Sequence, residues 1–350
     1  MEEYYVGNLD KNVRRILNEV VVSLQKNSKR RFVYVEQLYF QTWWNEQTQE
    51  TQRIVRKLIQ NSQLEFLNGG YVMNDEGCTY YDDIIEQMTL GHRFIKSEFN
   101  QTLNIGWHID PFGHSAPQAR LFSEMGFDAW LFERIDYEEF EEGKENGELE
   151  MVWRPESYNR EKNNLLAHVN FMKYYKAPFS YCITVICDPD SEFVHDRPSR
   201  YAEWIKNQLL YYPSKRHILH QVGGDFEWYW SEKNYINLDK FIEFYEKNPH
   251  YNIKLQYSTP RLYTQAIYEE FKANKTTLPE KVDDFFPYRY EPNVYWTGYF
   301  TSKPHLKRSI REASSYLQSV KKLLSKFYFQ GKISFKDIDN STHSFETALS

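Results

Sequence analysis

The first part of the chain alternates between helical and strand-like hydrophobic spacing. Apolar side chains recur every three to four positions over residues 9–24, which predicts an amphipathic helix. Residues 32–40 are β-branched and aromatic and predict a buried strand. A second helix is expected over 51–59, and a short strand over 64–67.

The same alternation continues to residue 132. We expect helices over 82–99 and 116–125 and strands over 102–109 and 129–132. Strands that alternate with helices are typical of parallel βαβ units, so the pattern predicts an α/β protein, either a barrel or an open doubly wound sheet. Active sites in both folds collect at the C-terminal ends of the strands.

The pattern changes near residue 290. Residues 306–327 have helical spacing with no strand after them, which predicts a domain boundary between residues 284 and 301. We therefore expect one domain over residues 1–290 and the beginning of a helical domain over 291–350. The acidic stretch 138–150 is expected to be a surface loop.

Composition narrows the functional classes. Hydrophobic residues make up 41% of the chain, yet no apolar run approaches the roughly 18 residues needed to cross a bilayer. The net charge of −6, with Lys and Arg scattered along the chain, argues against a nucleic-acid partner. Aromatic residues make up 17% of the chain, which suits stacking on sugar rings and an ordinary core equally well.

Signals for the cellular compartment conflict. Triplets at Asn100, Asn274 and Asn340 are compatible with glycosylation in the secretory pathway, and Cys182 and Cys187 are close enough for a local disulfide in an oxidising compartment. The chain opens with acidic and aromatic residues instead of the basic and apolar regions of a signal peptide. We expect either a cytosolic protein or a true start upstream of this chain.

Two carboxylates follow strand-like runs that end at a turn. Asp110 ends the run 103–109, and His108 shares its face of the strand because the two positions differ by two. Asp225 follows a strand-like run from His217. A glycosidase needs such a pair, one carboxylate as nucleophile and one as proton donor. An Asp before Pro is also a common turn former or helix cap.

The chain resembles glycoside hydrolase family 38, and within it the lysosomal type of α-mannosidase. The resemblance rests on residues 106–115 and on motifs that cover nearly the whole chain, at 31–36, 43–44, 68–76, 87–91, 125–128, 134–137, 224–226, 257–260, 283–288 and 295–302. It implies a seven-stranded parallel β/α barrel, with its first strand upstream of this chain, followed by the start of an α-helical bundle domain.

The resemblance also implies the activity and the roles of individual residues. The enzyme would hydrolyse terminal α-linked mannose from oligosaccharides or glycoprotein glycans through a covalent mannosyl-enzyme. Asp110 would be the nucleophile, and Asp225 the general acid and then the general base. Arg134 would keep Asp110 ionised, because an adjacent guanidinium favours the charged carboxylate; a surface salt bridge is the alternative. Phe112 and Tyr175 would contact the sugar, although Tyr175 could equally be a core aromatic.

One Zn²⁺ is the cofactor that the resemblance implies. Only Asp110 matches a ligand of the family's site; a His-x-Asp pair is expected just before residue 3, and a His-His-Asp segment just after residue 350. His108, His114 and His343 are expected to be structural histidines or supports for the ligands. The cysteine pair Cys182 and Cys187 matches a pair in lysosomal members, which implies a disulfide and a lysosomal or vacuolar compartment.

Several alternatives remain open at this point. A chain without its first barrel strand should be poorly stable, so an inactive truncated fragment or a mannose-binding remnant that keeps Arg134 is the second hypothesis. A metal-dependent deacetylase is a third, since related barrels host that chemistry, and it requires a His-rich metal triad. A homo-oligomer is possible.

Overall fold

A computed structural model describes residues 2–7, 11–155, 163–171, 197–334 and 336. The chain divides into two compact units, one made of Met1–Gly77 with Gln87–Thr297 and the other of Cys78–Glu86 with Gly298–Ser350. The strands and the residues of the candidate site belong to the first unit. The second unit contains the longest helix.

Helices and strands alternate over much of the described part of the chain. The helices are α1 (Glu2–Tyr5), α2 (Val13–Lys26), α3 (Gln37–Asn45), α4 (Gln49–Gln60), α5 (Tyr81–Phe99), α6 (Ala116–Glu124), α7 (Tyr137–Asn146), α8 (Arg197–Gln208), α9 (Ser231–Lys247), α10 (Pro260–Asn274) and α11 (Pro304–Phe329). The strands are β1 (Phe32–Tyr34), β2 (Leu64–Phe66), β3 (Ile105–His108), β4 (Ala129–Phe132), β5 (Glu150–Trp153), β6 (Leu165–Val169), β7 (Glu280–Lys281), β8 (Arg289–Glu291) and β9 (Val294–Tyr295).

The sheets are mainly parallel, as the helix–strand alternation predicts. One sheet has the order β3-β4-β6-β5-β7, in which β3, β4 and β6 run parallel and β5 runs antiparallel to β6. Strands β1 and β2 form a separate parallel pair. The α/β class is therefore confirmed. The described strands do not close into a seven-stranded barrel. Strand β5 runs antiparallel to β6, and residues 217–224, which the sequence predicts to be a strand, form no strand pairing with any described residue.

Strand β4 lies at the centre of the core. All four of its residues are buried, which explains its continuous hydrophobic run between neighbours on both sides. The Trp130 ring stacks on Trp153 of β5, with ring centroids 5.3 Å apart. This rigid centre fixes the positions of the residues that follow β3 and β4.

Two predictions of secondary structure are wrong, one at the end of a strand and one in a stretch predicted to be a loop. The strand predicted over 32–40 ends at Tyr34, and α3 begins at Gln37, since Phe40, Trp43 and Trp44 are buried on one helical face. The acidic stretch 138–150 is largely helix α7: the Asp136 carboxylate accepts N–H bonds at its start, and Gly147 ends it in the left-handed conformation at φ 73°. Among the described helices, none has both the length and the hydropathy of a membrane span.

Candidate functional site

Asp110 and Arg134 form an ion pair where β3 and β4 end. A guanidinium N–H of Arg134 donates to Oδ1 of Asp110. The Asp110 side chain is 46% exposed and the Arg134 side chain 16% exposed, so the carboxylate faces solvent while the guanidinium is largely covered. Arg134 has a φ of 56°, a left-handed conformation that few residues other than glycine adopt and that often marks a functional site.

Three aromatic rings surround the Arg134 guanidinium. Its central carbon lies 5.1 Å from the Phe112 ring centroid, 5.4 Å from that of Trp296 and 5.9 Å from that of Tyr288. Phe112 also packs edge-on against Trp296, with centroids 4.8 Å apart. Cation–π attraction and the small space between the rings hold the guanidinium toward Asp110.

Residues at the end of β3 line a cavity of about 1750 Å³. Its lining includes Ile109, directly before Asp110, and Gly223, two positions before Asp225. Asp225 itself is exposed, on the loop after Gly224. The segments of both sequence-predicted carboxylates thus border one cavity, and the described contacts join Asp110, Arg134 and Phe112.

Burial raises the pKa of two acidic neighbours of the pair, Glu133 and Glu36. Burial raises the pKa of Glu133 well above its ordinary value; Asn170, which donates to its Oε1 at 2.9 Å, opposes this shift. Burial also raises the pKa of Glu36, whose carboxylate accepts the Met73 N–H at 3.0 Å, and the negative charge of Asp110 adds to the shift. Asp110 is the carboxylate that lies within ion-pair distance of Arg134.

A buried cluster lies beneath the turn that carries Asp110. Glu76 Oε1 is 2.6 Å from Nδ1 of His108 and 2.8 Å from Nδ1 of His114, and all three side chains are fully buried. The other Glu76 oxygen accepts the Ser115 N–H at 2.7 Å, and Nε2 of His114 donates to the Glu133 carbonyl. Burial alone would raise the pKa of Glu76, but the two histidines lower it, whereas burial lowers the pKa of His108.

The same three side chains are a possible metal-binding group, because their ligand atoms lie within 4.8 Å of one another. Their nitrogen–oxygen separations of 2.6 and 2.8 Å are hydrogen-bond distances. Ligands of tetrahedral zinc are roughly 3.3 Å apart, given bonds of about 2.0 Å. Within the described ranges Asp110 belongs to no such group, so the residues present do not by themselves fit a zinc ion at the ion pair.

Some predicted residues lie outside the described part of the chain, and sequence reasoning misses one important residue. Tyr175, Cys182, Cys187 and His343 fall in ranges that the structure does not describe, so their roles remain predictions. The missed residue is Glu76, which is separated by 32 residues from His108 and by 38 from His114. Its position in the motif 68–76 is the available signal, but the pairing itself is a tertiary contact.

The chain is similar to known proteins over most of its length. The family model described as glycosyl hydrolases family 38 N-terminal domain matches residues 1–291. The lysosomal alpha-mannosidase of Dictyostelium discoideum is 39% identical over 335 residues, which cover 93% of this chain and 33% of that protein. The lysosomal alpha-mannosidase of Bos taurus is 38% identical over 338 residues, which cover 91% of this chain and 33% of that protein.

Solved structures show the same fold. The crystal structure of an alpha-mannosidase from Enterococcus faecalis V583 matches with a TM-score of 0.59 at 15% identity, covering 78% of this chain and 28% of that one. The chain spans about a third of the length of the curated relatives named above. On the match of residues 1–291 and the identity to these relatives, the chain belongs to glycoside hydrolase family 38.

Proposed function

We propose that the protein containing this chain is a retaining α-mannosidase that removes terminal α-linked mannose from glycans. The observation that carries the proposal is the Asp110–Arg134 pair after β3 and β4; Ile109, directly before Asp110, lines a large cavity. The choice of mannose as the sugar rests on the relatives, which are named alpha-mannosidases. The whole protein's substrate would be a mannose-containing oligosaccharide or glycoprotein glycan.

Asp110 is the nucleophile in this proposal. A carboxylate oxygen of Asp110 forms a bond to the anomeric carbon of mannose while the glycosidic C–O bond breaks. Arg134 holds Oδ1 through its hydrogen bond and leaves the exposed side of the carboxylate for attack. Phe112 lines the site beside the nucleophile, and Tyr175 contacts the sugar.

Asp225 moves the protons. It donates a proton to the departing glycosidic oxygen, and then removes a proton from the water that attacks the anomeric carbon. This second displacement releases Asp110 and gives mannose of the original anomeric configuration. Retaining glycosidases hold the two carboxyl groups about 5 to 5.5 Å apart, so the Asp225 loop must lie close to Asp110 in the substrate complex.

One Zn²⁺ is the proposed cofactor, with Asp110 as one ligand. A bound zinc ion would act as a Lewis acid on sugar hydroxyls. Residues 1–290 would be the catalytic β/α barrel, and 291–350 the beginning of the helical middle domain. A lysosomal or vacuolar compartment is supported by the relatives named lysosomal, and a Cys182–Cys187 disulfide would suit it.

Hydrolysis of an aryl α-mannoside by the full-length protein tests the proposal. We expect Asp110→Asn to lower kcat at least about 1000-fold, because the amide cannot form the covalent intermediate. Asp128→Asn is the matched control: Asp128 lies just before β4, at the end opposite Arg134, and its carboxylate accepts an amide N–H of Asn104 at 2.5 Å. Proton NMR should show mannose released with retained configuration; an inverted product, or full activity of Asp110→Asn, would contradict the mechanism.

A further inference from the structure

One buried carboxylate holds both ends of the segment that carries Asp110. Glu76 accepts hydrogen bonds from His108, two residues before Asp110, and from His114, four residues after it. Its second oxygen accepts the backbone N–H of Ser115, the residue that also caps α6. The turn between β3 and α6 is therefore fixed on both sides from a third segment of the chain.

His114 extends this network to the segment that carries Arg134. Its Nε2 donates to the Glu133 carbonyl, and the neighbouring Gly113 N–H donates to the Arg134 carbonyl at 3.2 Å. Glu76 Oε1 lies between the two imidazoles, 2.6 Å from Nδ1 of His108 and 2.8 Å from Nδ1 of His114.

An aromatic side chain borders the two histidines of the cluster. Both imidazoles pack edge-on against Trp130, with centroids 5.3 Å away for His108 and 5.4 Å away for His114. Water does not reach the Glu76 side chain, which is fully buried. An amide nitrogen in place of one Glu76 oxygen would set a buried N–H donor against another donor, and the cluster could relax by moving the backbone on either side of Asp110.

We infer that Glu76 is a positioning residue for the nucleophile: through His108 and His114 it sets the place of the Asp110 carboxylate relative to Arg134. The inference rests on the proposed function. Glu76 touches no reacting atom, so its loss should act on the chemical step more than on substrate binding. A displacement of about 1 Å in a reacting group is enough to cost roughly 100-fold in rate.

Glu150 provides a matched control within the same sheet. It is a fully buried carboxylate on β5 that accepts from Nδ1 of His168 at 2.9 Å and from the Tyr263 hydroxyl at 2.6 Å. Like Glu76 it forms a hydrogen bond with a buried histidine, but its partners belong to β6 and α10. Glu150→Gln should therefore reproduce the loss of stability that Glu76→Gln causes without moving Asp110.

The experiment compares Glu76→Gln and Glu150→Gln in the full-length protein with an aryl α-mannoside. We expect Glu76→Gln to lower kcat per folded molecule by about 100-fold with KM changed less than about threefold, and Glu150→Gln to leave both within about twofold. In an Asp110→Asn background, Glu76→Gln should lower the residual rate less than about twofold, because no nucleophile remains to be positioned.

Equal kcat values for Glu76→Gln and Glu150→Gln, or multiplicative effects with Asp110→Asn, would overturn the inference. If near-ultraviolet circular dichroism shows that Glu76→Gln does not fold, Glu76→Asp takes its place. That variant keeps the charge but draws back the carboxylate, and we expect a roughly tenfold lower kcat; an unchanged kcat would overturn the inference. A wild-type protein that hydrolyses no α-mannoside would instead overturn the proposed function, and with it the role of Glu76.

Discussion

Arg134 uses features that a lysine side chain lacks. Its planar guanidinium donates to Asp110 while its faces meet the rings of Phe112, Trp296 and Tyr288. A flexible ammonium would keep the charge but would lose the stacking and the fixed direction of the donor. Arg134 therefore contributes a fixed donor direction to the pair as well as a positive charge.

Arg134→Lys should lower kcat/KM by about 100-fold, equivalent to about 2.7 kcal/mol of transition-state stabilisation. The control is Arg261→Lys, since Arg261 pairs with Glu65 at 3.1 Å and has no part in the proposed mechanism. Steady-state kinetics with an aryl α-mannoside measure both variants. Equal kcat/KM values for the two variants would count against a specific role for Arg134.

Gly113 lies in the same turn and has no room for a side chain. Its φ is +95°, and a Cβ there would lie 2.5 Å from a Phe286 ring carbon and 3.0 Å from the Phe285 carbonyl oxygen. Gly126 has a similar φ of +86° with nothing within 4 Å of such a Cβ. The two glycines separate the cost of left-handed backbone from the cost of crowding.

Gly113→Ala should lower the free energy of unfolding by about 3 kcal/mol or more, and Gly126→Ala by about 1 kcal/mol. Both have the backbone penalty, but only Gly113→Ala adds a steric clash. Urea denaturation of the two variants measures the difference. Equal losses would show that the Phe286 ring moves aside at no cost.

At the scale of secondary-structure elements, Arg30 joins the segment after α2 to α9. Its buried guanidinium donates to Glu232 at 3.0 Å and to Asp239 at 2.9 Å. Burial opposes ionisation of Glu232, but hydrogen bonds from Arg30, Ser23 and Lys26 outweigh it and hold the pKa of Glu232 below its ordinary value. This contact links two helices far apart in sequence.

The sign of the resulting pH dependence follows from this lowered pKa. The Glu232 contribution to stability is fully present above pH 4.5, the ordinary value for a glutamate, and is lost as pH falls toward the lower folded-state pKa. Glu232→Gln should lower the free energy of unfolding by about 1 kcal/mol near neutral pH. Below pH 4.5 the free energy of unfolding should fall less steeply in the variant than in the wild type. Urea denaturation at several pH values measures this; parallel pH profiles for wild type and variant would contradict it.

The sequence predicts elements best where burial is complete. Strand β4 has the predicted boundaries, because four buried apolar residues stand between Asp128 and Glu133. The strand predicted over 32–40 fails after Tyr34, since aromatic composition cannot distinguish a strand from the buried face of α3. Helix α7 buries only Phe140 among its side chains, so hydrophobic spacing gives little sign of it.

The sequence also predicts some residues of the candidate site and misses others. The family resemblance predicts Asp110 and Arg134 together, and the structure joins them. The pairing of Glu76 with His108 and His114 could not be predicted, because hydrophobic spacing carries no information about contacts between polar residues over such separations. A buried carboxylate needs partners, but composition and spacing do not say which residues provide them.

At the scale of the whole molecule, the zinc proposal has a direct test. The full-length protein should contain about one zinc ion per chain, since a site with Asp110 as one ligand needs about three more. We expect a chelator to remove both the zinc and the hydrolysis of an aryl α-mannoside, and added Zn²⁺ to restore them. Metal analysis together with the assay checks this. Full activity in metal-free protein would exclude zinc as the cofactor.

The central claim is that Asp110 forms a covalent bond to the sugar. Incubation of the full-length protein with a fluorinated mannosyl fluoride should trap the intermediate, because the ring fluorine slows both its formation and its hydrolysis while the fluoride leaving group speeds its formation alone. Digestion and mass spectrometry should then locate one added fluoromannosyl group on the peptide that contains Asp110. A label on Asp225 or on any other residue, or active enzyme with no label, would contradict the account.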